Sequence, residues 1–130
     1  MEDRLTLITS ALQRIQEKGG RENFVIFTSD IKKNYYIQFL GKVGQPTLYA
    51  EAVSNQFLPA GAALTDEQMR HLRELGWQPP NRDTPNFHRH WEAPDEVACQ
   101  EIARQVLQAF EMVYGFTSGQ PLSVDFGFAN

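Results

Sequence analysis

Apolar residues recur at three- and four-residue spacing in three stretches of the chain, which is typical of amphipathic helices. The first predicted helix covers residues 3–18. Its apolar stripe consists of Leu5, Ile8, Leu12 and Ile15, and two glycines follow it. Glycine accepts the left-handed conformation in which many helices end. We expect this helix to cover the face of a sheet.

The second predicted helix begins after Thr65 and carries its own start and stop signals. Thr65 and Gln68 have the spacing of a capping box, in which each side chain bonds to the backbone N–H of the other residue. Leu64 and Met69 are placed as a hydrophobic staple around the same start. Gly76 marks the end of this helix.

The third predicted helix opens at residues 94–96 and ends at Gly115. Its apolar stripe is formed by Cys99, Ile102, Ala103, Val106, Leu107, Phe110, Val113 and Tyr114. Cys99 could serve as a nucleophile with a histidine as its base. Its place on the stripe favours a core position instead, where an apolar environment raises the pKa of a thiol and leaves it unreactive.

Runs of β-branched and aromatic residues predict strands at residues 24–28, 35–40 and 47–53. Short loops join the three runs, so they predict an antiparallel meander. Residues 87–91 predict a fourth strand, with Phe87, Arg89 and Trp91 on one face and His88 and His90 on the other.

These elements predict a single α+β domain over residues 1–130, in the order α-β-β-β-α-β-α, with helices packed on an antiparallel sheet. The tail, residues 116–130, alternates as a strand does. Gly119, Pro121 and Gly127 weaken that pattern. An extra strand is therefore one interpretation of the tail.

Composition narrows the classes of partner. The 130 residues carry a formal net charge of -4, and a protein that binds nucleic acid without regard to sequence needs a basic surface instead. No apolar run approaches the roughly 20 residues of a membrane span. The single cysteine excludes a disulfide within the chain, and together with the lack of a signal-peptide pattern it predicts a cytoplasmic protein. Neither nucleic acid nor a membrane is a predicted partner.

The histidines are the sharpest candidates for metal chemistry. His88 and His90 would share a strand face, Glu92 would extend it, and His71 lies on the preceding helix. Two imidazoles and a carboxylate can hold zinc. The spacing is short and common, however, and no second cysteine or HExxH pattern supports it. We therefore predict no metal, no cofactor and no catalytic residues, with these histidines on a solvated face.

Both tryptophans and all three histidines of the chain lie between residues 47 and 91, and aromatic side chains recur from Tyr35 to Trp91. The strands carry apolar groups on both faces, and three helices cannot cover both faces of a sheet. The surplus predicts a surface for a partner, in a dimer or in a peptide groove. The residues predicted to shape this surface are Tyr49, Phe57, Trp77, Phe87 and Trp91.

Three segments in a fixed order carry a resemblance to a known family. They read YAEAVSNQFLP from residue 49, LTDEQMRHLRELGWQPP from residue 64 and NFHRHW from residue 86, and a long helix follows. The ordered set resembles the type III secretion chaperone-like superfamily, in the TY-Chap group of peptide-binding domains related to YopN, CesT and YbjN. The likeness covers the chain from Phe24 to Gly115.

The resemblance implies an α+β fold, frequent homodimerisation and binding of a client's extended segment. Such chaperones use apolar patches and add a client strand to the sheet edge. We therefore hypothesise a non-enzymatic, homodimeric, chaperone-like module that recognises an extended segment of a partner protein. Two alternatives stay open. One is a small metal- or thiol-dependent enzyme that uses His88, His90 or Cys99, and the other is a structural subunit of a single complex.

Overall fold

The computed structural model describes residues 3–17 and 22–129 of the chain. Its elements are α1 (Arg4–Glu17), β1 (Glu22–Asp30), β2 (Tyr35–Gly41), β3 (Thr47–Ala52), α2 (Asp66–Glu74), β4 (Phe87–Glu92), α3 (Glu96–Met112) and β5 (Ser123–Ala129). A short 3₁₀ turn, Asn55–Phe57, follows β3. The predicted order is confirmed, with one more strand at its end. The predicted stop of the first helix, at Lys18 and the two glycines, lies outside the described residues.

The five strands form one antiparallel sheet in the spatial order β4-β3-β2-β1-β5. The predicted meander provides the centre, and β4 pairs with β3 at one edge. The tail returns to the opposite edge, where Val124 pairs with Phe27 and Phe126 with Val25. Gly119 and Pro121 precede this strand and therefore leave its pairing intact.

One face of the sheet is buried under α1 and α3. The helices pack against each other, and α1 also packs on β1 and β2. The sheet contributes alternate residues to this core: Val25, Phe27, Ile37, Phe39, Leu48, Ala50 and Ala52. The helices contribute their apolar stripes, including Ile8, Leu12, Ile15, Cys99, Ile102, Val106 and Phe110. Burial of each large side chain stabilises the fold by about 1.5–3 kcal/mol relative to exposure.

Helix α2 lies against the end of α3, and its predicted start is confirmed. Thr65 N–H donates to Gln68 Oε1 at 2.7 Å, and Gln68 N–H donates to Thr65 Oγ1 at 3.1 Å. The Gln68 amide also donates to the carbonyl of Val113 at 2.7 Å, which ties the helix to the end of α3. The side chain of Asn55 makes two hydrogen bonds to Leu64, the residue before Thr65. Its Oδ1 accepts from Leu64 N–H, and its Nδ2 donates to the carbonyl of Leu64.

Gly127 in β5 lies directly beneath the ring of its neighbour Phe24. A Cβ atom added at Gly127 would overlap the Cε1 and Cζ atoms of that ring. Gly127 weakened the strand prediction, but its missing side chain leaves the space in which the Phe24 ring lies. An aromatic ring that covers a strand glycine compensates for the missing side chain.

We expect Gly127→Ala to destabilise the fold by about 1–3 kcal/mol, because the methyl group forces the Phe24 ring from its position. Urea unfolding followed by circular dichroism measures this. Gly119→Ala is the control, since no atom lies within 4 Å of a Cβ there. If the ring is the cause, the same Gly127→Ala change costs less in a Phe24→Ala background. An equal cost in both backgrounds would contradict this account.

Candidate functional site

The second face of the sheet carries no helix in residues 3–17 and 22–129, and one cross-strand row of it is apolar apart from a histidine at its end. In register, Gly127 lies beside Phe24, Phe24 beside Leu40, Leu40 beside Tyr49, and Tyr49 beside His90. We call these five residues the apolar band. Phe24 and Tyr49 are half-buried, and Leu40 is 40% exposed. With strands about 4.8 Å apart, the band is roughly 19 Å long.

A groove of about 460 Å³ adjoins the band where β2 ends and β3 begins. Leu40 and Tyr49 belong to both the band and the groove wall. The polar part of the wall is formed by Glu22, Asn23, Lys42, Gln45 and Thr47. The open face therefore offers an apolar strip with a hollow beside its centre.

Tyr49 is the best-anchored aromatic of the band. Its hydroxyl donates to Glu51 Oε2 at 3.1 Å, and its ring centre lies 4.9 Å from that of His90. Burial, followed by the neighbouring Glu51 carboxylate, raises the pKa of Tyr49 to about 12. The hydroxyl therefore stays protonated as a donor near neutral pH, and the ring is held in one orientation.

Asn86 connects the open face to the loop before β4. Its Oδ1 accepts from Ser54 N–H at 2.9 Å, and its amide nitrogen donates to Tyr36 Oη and Glu51 Oε1, both at 3.1 Å. Ser54 Oγ in turn donates to the carbonyl of Pro85 at 2.6 Å. A buried amide with all these partners fixes the ends of β3 and β4 relative to each other.

Behind the sheet, Arg89 is enclosed by two tryptophans. Its guanidinium carbon lies 3.9 Å from the ring centre of Trp91 and 6.0 Å from that of Trp77. Arg89 Nη1 donates to the carbonyl of Leu75 at 2.8 Å, where the dipole of α2 places partial negative charge. The two tryptophans meet edge to face at 5.5 Å, and Trp91 stacks on Phe39 at 5.4 Å.

Gly76 leaves the space that Arg89 occupies. Its φ is +106°, and a Cβ there would lie 2.6 Å from Arg89 Nη1. The Leu-Gly-Trp sequence at the end of α2 and the Phe-His-Arg-His-Trp sequence of β4 are therefore two halves of one packing unit.

Comparison with known families matches residues 3–127 to one family model, described as T3SS (YopN, CesT) and YbjN peptide-binding chaperone 3. The chain belongs to this family. The match confirms the resemblance seen in the sequence and supports a chaperone-like binding role. No curated protein and no solved structure matches the chain significantly.

In this chaperone-family chain, the five aromatics predicted to shape a partner surface lie in three separate places. Tyr49 belongs to the open face, whereas Trp77 and Phe87 are 3% and 2% exposed in the core behind it. Trp91 is half-buried beside Arg89. Phe57 is 43% exposed beyond β3, where its carbonyl accepts from the Asn34 side chain in the turn between β1 and β2. That turn is at the opposite end of the sheet from Leu40.

Three of the candidate metal ligands, His88, His90 and Glu92, lie on β4, and His71 lies on α2. His88 and His90 project from β4 on the open face as predicted, and His88 Nδ1 lies 3.0 Å from the carbonyl oxygen of Asn86. No group of three or more His, Cys, Asp or Glu side chains within residues 3–17 and 22–129 could hold a metal ion. None of the described helices is both long and apolar enough to cross a membrane.

Cys99 is fully buried, as its position in the helical stripe predicted. Desolvation, with smaller effects from Asp95, Glu17 and Glu96, raises the pKa of its thiol to about 11. The thiolate is the nucleophilic form of cysteine, so this thiol is a poor nucleophile near neutral pH.

Sequence reasoning missed Phe24 and Leu40 of the band and the linking role of Asn86. The period-two alternation of β1 and β2 does place Phe24 and Leu40 on one face. It leaves open which of the two faces the helices cover. Asn86 gives no local signal, because its partners lie 32 to 50 residues away in sequence.

We expect Arg89→Ala to lower the free energy of unfolding by about 2 kcal/mol, through loss of the cation–π contact and the bond to Leu75. Urea titration with tryptophan fluorescence reads both stability and the environment of the two indoles. The free energy of unfolding of Arg89→Lys should lie between those of the wild type and Arg89→Ala, because an ammonium group keeps the charge but not the flat stacking surface. Arg82→Ala, in the exposed loop before β4, is the control. Equal stability of Arg89→Ala and Arg82→Ala would refute the role given to Arg89.

Proposed function

We propose that this protein is a non-enzymatic, chaperone-like module that binds an extended segment of a partner protein on the open face of its sheet. The observation that carries the proposal is the one-sided packing of the helices. It leaves Phe24, Leu40 and Tyr49 in one row across the sheet, with a groove at the centre. Exposed apolar strips of this kind are typical of interaction sites.

The dimensions of the band favour an extended segment over a globular surface. An extended chain advances about 3.3 Å per residue, so roughly six residues span the 19 Å of the band. Alternate side chains of such a segment point to the sheet. A groove of about 460 Å³ beside Leu40 and Tyr49 has room for one large apolar side chain.

The predicted residues take different parts in this proposal. Tyr49 contacts the bound segment directly, and Phe57 offers a second, separate apolar contact at the far end of the sheet. Trp77 and Trp91 act from behind, because their packing with Arg89 sets the position of β4, and Phe87 is buried at the start of that strand. The single cysteine of the chain fits a reducing compartment such as the cytoplasm.

We further propose that the protein forms a homodimer through β5. Within the described residues this strand pairs only with β1, so one edge of its backbone is open. Antiparallel pairing of two copies about Phe126 would place Val124 opposite Phe128 of the second copy. It would also place Asp125 opposite Gly127, so that like charges do not meet. Such a self-complementary contact is typical of a two-fold dimer.

For binding, partners are first captured from a lysate and the bound segment is mapped with overlapping synthetic peptides. We expect Tyr49→Ala to raise the Kd for the mapped peptide about tenfold or more, since central aromatic contacts contribute 1.4 kcal/mol or more. Phe57→Ala should weaken binding of a longer segment that reaches the end of the sheet. Fluorescence anisotropy measures both.

The matched control is Val97→Ala, which removes a side chain that is 72% exposed on α3, a helix of the opposite face. It should bind as wild type does. If folded Tyr49→Ala and Phe57→Ala proteins also bind as wild type does, the open face is not the binding site.

For the dimer, sedimentation equilibrium of the wild type should give twice the mass of the chain. Phe126→Glu and Phe126→Gln both remove the ring, but only the first brings two negative charges together on the two-fold axis. We expect Phe126→Glu to be monomeric and Phe126→Gln to keep a weakened dimer. A monomeric wild type, or equal dimerisation of the two variants, would rule out this interface.

A further inference from the structure

Charged side chains flank the apolar band on both sides, and four of them are carboxylates. On one side lie Asp125 and Glu51, each two residues from a band member along its own strand. Glu22 and Glu92 lie on the other side at the same spacing. Residues two apart on a strand share a face, so all four belong to the open face.

Positive charge on the same rows is sparse. Lys42, two residues beyond Leu40, is the one lysine or arginine that the described rows next to the band contain. The remaining flanking positions hold neutral or imidazole side chains: Ile26, Gln38, Thr47 and His88. Both margins of the band therefore favour cations over anions.

Glu51 is already fixed in place. Its two oxygens accept from Tyr49 Oη and Asn86 Nδ2, both at 3.1 Å. Because those donors hold the carboxylate before any partner arrives, less side-chain entropy is lost when a cation pairs with it. Glu92 Oε1 is held in a similar way by the hydroxyl of Thr47 at 2.9 Å.

These charges discriminate between the possible occupants of the band. If a second copy of the chain stacked on this face, the four carboxylates beside each band would meet the four beside the other. Like charges opposed across an interface are unfavourable. An acidic segment meets the same repulsion. A basic segment instead meets complementary charge on both margins.

We propose that the segment bound by the open face is basic, with lysine or arginine residues flanking a large apolar side chain. The apolar side chain enters the groove beside Leu40 and Tyr49. The cationic side chains reach Asp125 and Glu51 on one margin and Glu22 and Glu92 on the other. This inference rests on the proposed function and adds the chemistry of the partner.

The probe is a fluorescein-labelled seven-residue peptide with phenylalanine at its centre and lysine two residues before and two residues after it, so that all three side chains lie on one face of the extended peptide. Its comparison peptide has glutamate in place of every lysine. We expect the lysine peptide to bind at least tenfold more tightly at about 0.05 M salt, with the difference shrinking towards about 0.5 M as surface charges are screened. Equal affinity for the two peptides overturns the inference.

Two variants distinguish the effect of the carboxylates beside the band from the effect of the net charge of the protein. In the first, Glu22, Glu51 and Glu92 become glutamine and Asp125 becomes asparagine. In the second, four exposed helix carboxylates become glutamine instead: Glu67, Glu74, Glu101 and Glu111. Both lose four negative charges. We expect the first to bind the lysine peptide about tenfold more weakly than wild type and the second to bind within about twofold of wild type.

Leu40→Ser distinguishes failure of this inference from failure of the proposed function. If both peptides bind equally and both lose affinity in Leu40→Ser, the open face binds segments but does not select basic ones. If the two four-carboxylate variants weaken binding equally, net charge acts rather than the band. If neither peptide binds while a mapped natural segment still depends on Tyr49, only the basic chemistry is overturned.

Discussion

Burial of a single face of the sheet beneath α1 and α3 is the interaction on which the other features depend. The side chains of Phe27, Ile37, Phe39 and Leu48 are buried there against the apolar stripes of the two long helices. The opposite face must then be stabilised by contacts among its own side chains. Half-buried rings such as Tyr49 and Phe24 are the result of that division.

The open face is kept in shape by polar groups that act from its margins and from behind. Asn86 joins β3, β2 and the loop before β4 through one amide, and Arg89 joins β4 to the end of α2 through one guanidinium. Because Arg89 is enclosed by Trp77 and Trp91, a cation can be kept in a largely apolar region. The site is thus built on rigid elements, which favours binding with little rearrangement.

The sequence predicted those parts of the fold whose signals are local. The capping box at Thr65 and Gln68 needs only neighbouring residues, and the two faces of β4 follow from its period of two. The position of β5 could not be predicted in this way, because its partner β1 lies about a hundred residues away in sequence. Gly127 weakened the strand prediction, because the reason for a glycine there is the Phe24 ring on the neighbouring strand, which the local sequence does not show.

The candidate site was predicted less well than the fold for a related reason. Aromatic content identifies residues with large surfaces, but burial decides whether those surfaces face a partner or the core. Trp77 is buried because Arg89 and Trp91 come from a strand ten or more residues further along. Tyr49 is open because β3 turns its alternate residues away from the helices.

The burial of Cys99 has a practical consequence for following this protein in solution. Since its one native thiol is enclosed and has a pKa near 11, maleimide or nitroxide reagents at neutral pH would react first with any cysteine introduced at the surface. A probe could therefore be attached beside the groove without replacing the native residue. Such a label would report directly, by quenching or by distance, on what arrives at the open face.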